Sequence, residues 1–279
     1  MSRPDARRQL VELVHRGGAE FSLAEAALWI AADDLPNVEP AVYLARLDEM
    51  AARVRSLLPD VAEASAERCA ALLQVLFREE AFIGNTAEYD DPRNSYLNEV
   101  LDRRTGLPIT LSIVFIEVAR RAGISAFGVN FPGHFLALAR YPDGMVVVDS
   151  FNGGAMLDAE ALQERWQQAT GTEPPPLATL LAPADGAAIV LRMLNNLRHV
   201  YLARGDLPRA TATVEKMVLV DPLGADHHRE AGTLYLLARS FGKAIASLER
   251  YLQLAPDAPD AEAARQHLRA ATQMIARWN

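Results

Sequence analysis

Residues 108–123 read PITLSIVFIEVARRAG, and this segment constrains the fold more than any other. Ile109, Leu111, Ile113, Val114, Phe115, Ile116 and Val118 fall on nearly every side of a helix. A helix that is apolar all round must be packed on several faces, so it forms the centre of a fold with other elements built around it. Its ends are written in the sequence. Pro108 suits the first helical position, where its missing N–H is not needed. Arg120 and Arg121 complement the negative end of the helix dipole, and Gly123 is a C-capping residue.

Strand grammar follows. Residues 125–131 (SAFGVNF), 134–141 (HFLALARY) and 145–151 (MVVVDSF) are rich in branched and aromatic side chains. Tyr141-Pro142-Asp143-Gly144 is a hairpin turn between the last two. Centred on Pro142-Asp143, the turn pairs Ala137 with Val148 and sets His134 opposite Phe151. His134 and Asp149 then become diagonal neighbours on one face. A carboxylate beside an imidazole fixes its tautomer and orientation, which serves a general base and a structural hydrogen bond equally well. Both readings stay open. Two hydroxyls interrupt the apolar helix, Thr110 and Ser112. Such hydroxyls commonly bond a carbonyl one turn back. If the segment carries chemistry they are the candidate nucleophiles, and Ser112, one turn after Pro108, points to the same side.

The chain before this core reads as helical. Residues 5–32 form two helices broken at Gly17-Gly18, the second with Ser22 as N-cap and Glu25 three residues on, a capping box. Amphipathic helices are expected over 41–57 and 64–77. Cys69, among small and apolar neighbours, reads as a buried hydrophobe. Asn94-Ser95 starts a short helix closed by Gly106. After the strands, Asn152-Gly153-Gly154 is a turn and Asp158 caps a further helix. Residues 173–188 (EPPPLATLLAPADGAA) hold four prolines and are the expected linker.

The C-terminal part repeats itself. A shift of 34 residues superposes Tyr201 on Tyr235, Ala210 on Ala244, Ala212 on Ala246, Glu215 on Glu249 and Pro222 on Pro256. Small residues where two helices cross, with a proline closing each unit, make the tetratricopeptide pattern. Two repeats are expected over 189–279, with a capping helix from Asp260 onward. Such helix pairs present binding surfaces.

Composition narrows the function. The net charge is -8. From Ile189 onward there are 12 Lys+Arg against 9 Asp+Glu, and before it 16 against 27. An acidic N-terminal part argues against a nucleic-acid platform. One cysteine excludes an internal disulfide and a thiolate cluster, and the scattered histidines suggest no metal site and no cofactor. No apolar run approaches the roughly 18 residues of a membrane span. The start, MSRPDARRQL, lacks the apolar core of a signal peptide, so cytoplasmic residence is expected.

NSYLNEVLDRRTGLPITLS, GVNFPGHFLA, VVVDSFNGG and the trailing repeats together resemble the bacterial SirB family over residues 10–275. The resemblance implies an α+β fold: a helical N-terminal part, a transglutaminase-like (papain-like) core with a central helix and small antiparallel sheet over 1–172, then an all-α tetratricopeptide segment. The wider superfamily uses Cys, His and Asp in that order. His134 and Asp149 match the last two, but Pro108 stands where the cysteine opens the helix. Pro108 and the repeat pair together point to a non-catalytic scaffold, regulatory in role, binding a protein or peptide. A related core in an F-box protein of animals points the same way. The alternative is a hydrolase or acyl transferase in which Ser112 or Thr110 replaces the thiol beside His134 and Asp149. Asn94, Pro108, Gly133, Tyr201 and Tyr235 are candidate binding positions in the cleft or on the repeats.

Overall fold

The structure is a computed structural model and describes residues 3–16, 21–57, 65–141 and 144–276. It divides into two units, Met1–Met193 and Leu194–Asn279.

In the first unit the helices α1 (Arg3–Arg16), α2 (Leu23–Asp34), α3 (Pro40–Ser56) and α4 (Ser65–Leu73) precede the core, and α4 runs on into a π turn at Gln74–Glu79. Then come β1 (Ile83–Gly84), a 3-10 turn (Pro92–Ser95), α5 (Leu97–Arg103), β2 (Thr105–Gly106) and α6 (Pro108–Arg121). The strands β3 (Ser125–Phe131), β4 (His134–Tyr141), β5 (Gly144–Asp149) and β6 (Ala155–Leu157) follow, then α7 (Ala159–Thr170), α8 (Leu177–Leu180) and α9 (Gly186–Ala203).

α6 is the central helix its sequence demands: every residue from Pro108 to Ala119 is buried. It packs against α3, β3 and β4. One charged side chain lies in that run, and it has a purpose. Glu117, 2% exposed, accepts hydrogen bonds from the Leu23 N–H at 2.8 Å and the Ser22 hydroxyl at 3.1 Å, and pairs with Arg121. The carboxylate thus caps α2 from another helix, satisfying donors that would otherwise be orphaned in the core. Ser22 also accepts from the Glu25 N–H at 3.2 Å, the expected N-cap.

The main sheet is antiparallel in the order β3-β4-β5-β6. Ala137 pairs with Val148, the expected register, and Tyr141 pairs with Gly144, while the Pro142-Asp143 turn lies outside the described residues. Its buried face joins Val129, Phe131, Leu136, Leu138 and Val147 to Leu162 of α7 and to Leu180 and Leu181. A second, parallel pairing, Ile83 with Thr105 and Gly84 with Gly106, was not expected, nor was β6. Strands of two or three residues are too short to show alternation.

Three boundaries differ from expectation. Asn94-Ser95 belongs to the 3-10 turn, and α5 starts at Leu97 with Tyr96 as N-cap. α5 ends at Arg103, with Arg104 left-handed at φ 61, while Gly106 pairs in β2. The proline-rich stretch 173–188 is packed on the sheet: Leu180 and Leu181 are each 5% exposed, and the Ala184 N–H donates to the Gly128 carbonyl at 2.8 Å. Its prolines interrupt regular structure, but its leucines bury, so the division between units falls at Met193–Leu194. The Gly17-Gly18 break lies outside the described residues.

The second unit contains the end of α9, then α10 (Leu207–Val220), α11 (Ala225–Leu237), α12 (Phe241–Leu254) and α13 (Ala261–Ala276). The repeated alanines Ala210 and Ala244 are fully buried. The repeat extends to side-chain geometry. Arg209 lies over the Tyr201 ring at 5.7 Å, and Lys243 over the Tyr235 ring at 5.2 Å, cation–π pairs in the same register. α13 closes the array on Leu248 and Tyr251 through Ala264.

Candidate functional site

His134 is the first residue of β4, delivered by the Pro132-Gly133 turn in which Gly133 has φ +66, a conformation suited to glycine. Asp149 is the last residue of β5. Their side chains meet, with His134 Nε2 at 2.9 Å from Asp149 Oδ1. The Asp149 side chain is fully buried, and its acceptor positions are filled. Oδ1 also accepts the Phe151 and Asn152 backbone N–H groups, each at 3.2 Å. Oδ2 accepts from Asn152 Nδ2 at 2.7 Å and from Arg165 Nη1 at 2.6 Å. Burial alone pushes this carboxyl up. The bonds from His134, Asn152 and Arg165 and the charge attraction outweigh burial and hold it well below the usual carboxylate range.

Aromatic rings wall one side. The Phe151 ring stands edge-on to His134 at 6.1 Å and to Tyr89 at 5.9 Å. It lies so close over Gly84 that a Cβ there would come within 2.5 Å of the ring. On another side Arg192 of α9 donates through Nη2 to the His134 carbonyl at 2.5 Å and through Nη1 to Asn130 Oδ1 at 3.0 Å.

The nucleophile side is different. Pro108 is buried at the start of α6, with Leu107 as N-cap. Thr110 Oγ1 accepts from the Leu107 N–H at 3.0 Å and lies 2.8 Å from the Asn94 carbonyl, to which it donates. This is the reach-back half of a capping box. Ser112 is fully buried, and its hydroxyl donates to the Phe135 carbonyl at 3.4 Å. Among the described residues neither hydroxyl makes a hydrogen bond to His134. Asn94 is fully buried too. Its amide donates to the Glu88 and Tyr89 carbonyls and accepts from Asn85 and Arg103. Both amide hydrogens and both lone-pair positions are used, so Asn94 is a structural tie whose side chain reaches no cleft. Tyr235 donates from its hydroxyl to Glu215 at 2.5 Å, and Tyr201 is 3% exposed, so both repeat tyrosines are built into their helices. Cys69 is 2% exposed, and burial pushes its thiol up, the profile of an inert core cysteine.

The arrangement can therefore orient an imidazole, but the start of α6 brings no thiol and no hydroxyl bonded to it. Sequence reasoning missed Arg165 and Arg192. A signal for each existed. Arg165 follows Leu162 by one helical turn, and Arg192 follows Ile189 in the same way, so each is a cation beside an apolar position of its helix. No group of three or more His, Cys, Asp or Glu side chains placed to hold a metal ion occurs among the described residues.

A sequence pattern of the transglutaminase-like superfamily matches residues 41–195. A UPF0162 protein of Xylella fastidiosa is 39% identical over 249 residues, covering 88% of each chain. The chain belongs to the UPF0162 family of transglutaminase-like proteins. A second family member, from Pseudomonas aeruginosa, is 34% identical over 236 residues, 85% of this chain and 86% of its own. The tetratricopeptide repeat pattern matches residues 197–269. F-box only protein 21 of the mouse is 44% identical over 66 residues, 24% of this chain and 10% of its own. The crystal structure of menin aligns over 94% of this chain and 73% of its own at 10% identity, with a TM-score of 0.36, too low to carry an argument. No helix among the described residues is long and apolar enough to cross a membrane.

Proposed function

We propose that this UPF0162 chain is a non-catalytic transglutaminase-like scaffold that binds a protein or peptide partner in the cytoplasm. One observation carries the reading. The position that opens the central helix is a buried proline, and the two hydroxyls behind it are enclosed and bonded to backbone. A triad without its nucleophile loses its covalent route, on the order of a millionfold in rate. The tetratricopeptide repeats supply a surface of the kind that binds other proteins.

The second reading is a hydrolase or acyl transferase using Ser112 or Thr110 with His134 and Asp149. It is favoured by the intact His134–Asp149 bond, which leaves Nδ1 without a hydrogen bond among the described residues. Intact-mass measurement after exposure to p-nitrophenyl acetate and to a fluorophosphonate separates the two. The scaffold reading expects no adduct that depends on His134, and expects partner binding to survive His134→Ala and fail when the repeat surface is charge-reversed. An adduct on Ser112 or Thr110 that vanishes with His134→Ala would establish the enzyme.

A further inference from the structure

Arg192 is a half-buried cation whose partners are all neutral. They are the Asn130 amide oxygen, the His134 carbonyl and the face of Phe135, 5.4 Å from its guanidinium carbon. Among the described residues no carboxylate lies within ion-pair distance of it. Arginines withdrawn from water are normally matched by an anion, because desolvating an unmatched charge is costly. Burial here pushes the Arg192 guanidinium below its ordinary range, with the neighbouring Tyr89 acting weakly in the other direction.

Charge bookkeeping around His134 sharpens the point. Arg165 and Arg192 contribute two positive charges, and Asp149 contributes one negative charge already bonded to His134, Arg165 and Asn152. Asp90, which acts on Tyr89, stands outside this set of side chains. With His134 uncharged, one positive charge is left over in the set. It stands in a unit that is otherwise strongly acidic: residues 1–193 carry 17 Lys+Arg and 27 Asp+Glu, a net of 17 − 27 = -10. The surplus is therefore local. Beside it, Tyr89 is 47% exposed and rests edge-on against Phe151, which in turn rests against His134. An exposed aromatic ring, backed edge-on by Phe151, adjoins an unmatched guanidinium.

We propose that this face is a carboxylate-binding site, occupied by an acidic peptide segment of the partner that places an aromatic side chain on Tyr89. The proposal rests on the scaffold reading and specifies what the scaffold binds. Two features favour a carboxylate over a phosphate. A single surplus charge matches a monoanion, whereas a phosphate near neutral pH carries close to two negative charges. Asn130 and His134 also fix the guanidinium plane, which presets the planar two-point contact that carboxylates accept.

The test uses the full chain and three probes followed by NMR at the Arg192 Nε–H and the His134 ring. The probes are N-acetyl-Glu-Phe amide, its N-acetyl-Gln-Phe counterpart, and N-acetyl-Gly-Phe with a free C-terminal carboxylate. The glutamate probe is expected to shift both signals saturably. Its binding should weaken with added salt and be about tenfold tighter than that of the glutamine probe, the worth of a charged hydrogen-bonded contact. Arg192→Gln should remove that preference, and Arg192→Lys should keep part of it. A shift with the free-carboxylate probe alone would assign the site to a chain terminus instead of an acidic side chain. Equal response to the glutamate and glutamine probes in the wild type overturns the proposal, whether or not the variants fold. That failure would leave the scaffold reading standing, since that reading is tested separately by the His134-dependent adduct and by partner binding through the repeats.

Discussion

Asp149 meets His134 Nε2 through one carboxylate oxygen at 2.9 Å and Arg165 through the other at 2.6 Å, so a single buried charge ties β4, β5 and α7 together. The pair that would orient a catalytic base is at the same time a structural clasp. A structural clasp of this kind needs no nucleophile beside it.

Removing the clasp is expected to be costly. Asp149→Asn leaves Arg165 without its counter-charge; Arg165 is one-third exposed and screened by water, so the loss is about 1–3 kcal/mol at neutral pH. The sign with pH follows from the depressed carboxyl. A carboxyl held below its unfolded value, about 3.9, contributes stability above that value and loses it as pH falls toward the folded one. Urea denaturation of wild type and Asp149→Asn should therefore show a gap that is constant from neutral pH down to about 5 and closes at lower pH. A gap that grows on acidification would contradict this.

The two hydroxyls of the central helix should separate cleanly. Thr110 serves the Leu107 N–H and the Asn94 carbonyl, so Thr110→Val should cost about 2 kcal/mol as a lost cap and a buried bond. Ser112 makes one long bond at 3.4 Å, and Ser112→Ala should cost less than about 1 kcal/mol. Thermal melts of both variants check the order.

Gly84 holds the aromatic wall in place by having no side chain. A methyl group there would meet the Phe151 ring at 2.5 Å. Gly84→Ala should cost about 1–3 kcal/mol as overpacking and displace Phe151 from His134. The readout is a changed ring-current shift on His134 together with the lowered melting temperature.

In the second unit α11 and α12 approach through Gly232, where a Cβ would lie 2.7 Å from Leu248 Cγ. Replacing a helical glycine gains under about 1 kcal/mol in propensity, but overpacking costs about 1–3 kcal/mol, so packing wins. Gly232→Val should lower the melting of the repeat segment, followed by far-ultraviolet circular dichroism.

Much of this was legible in the residues. The all-apolar helix behind Pro108, the Ala137–Val148 register and the repeat period each rest on a strong periodicity, and the structure carries all three. Where periodicity was short or absent, reading stopped. β1, β2 and β6 are two or three residues long, and the strap at residues 173–188 hides buried leucines among prolines. Asn94 looked like a cleft residue because a polar side chain in a specific motif suggests recognition, whereas its motif serves to bind its own backbone. Arg165 and Arg192 were missed because their meaning depends on contacts with Asp149 and His134 that lie far off in sequence.

The most direct test of the account restores the missing atom. Pro108→Cys in a Cys69→Ala background places one thiol at the start of α6, and its ionisation can be followed by thiolate absorbance near 240 nm. The proposed scaffold keeps the start of α6, His134 and Asp149 in the superfamily's layout without its nucleophile. The expected result is a thiol titrating well below the ordinary value of about 8.5, with the depression lost on His134→Ala. A thiol that titrates at or above that value, indifferent to His134, would show that no such frame remains.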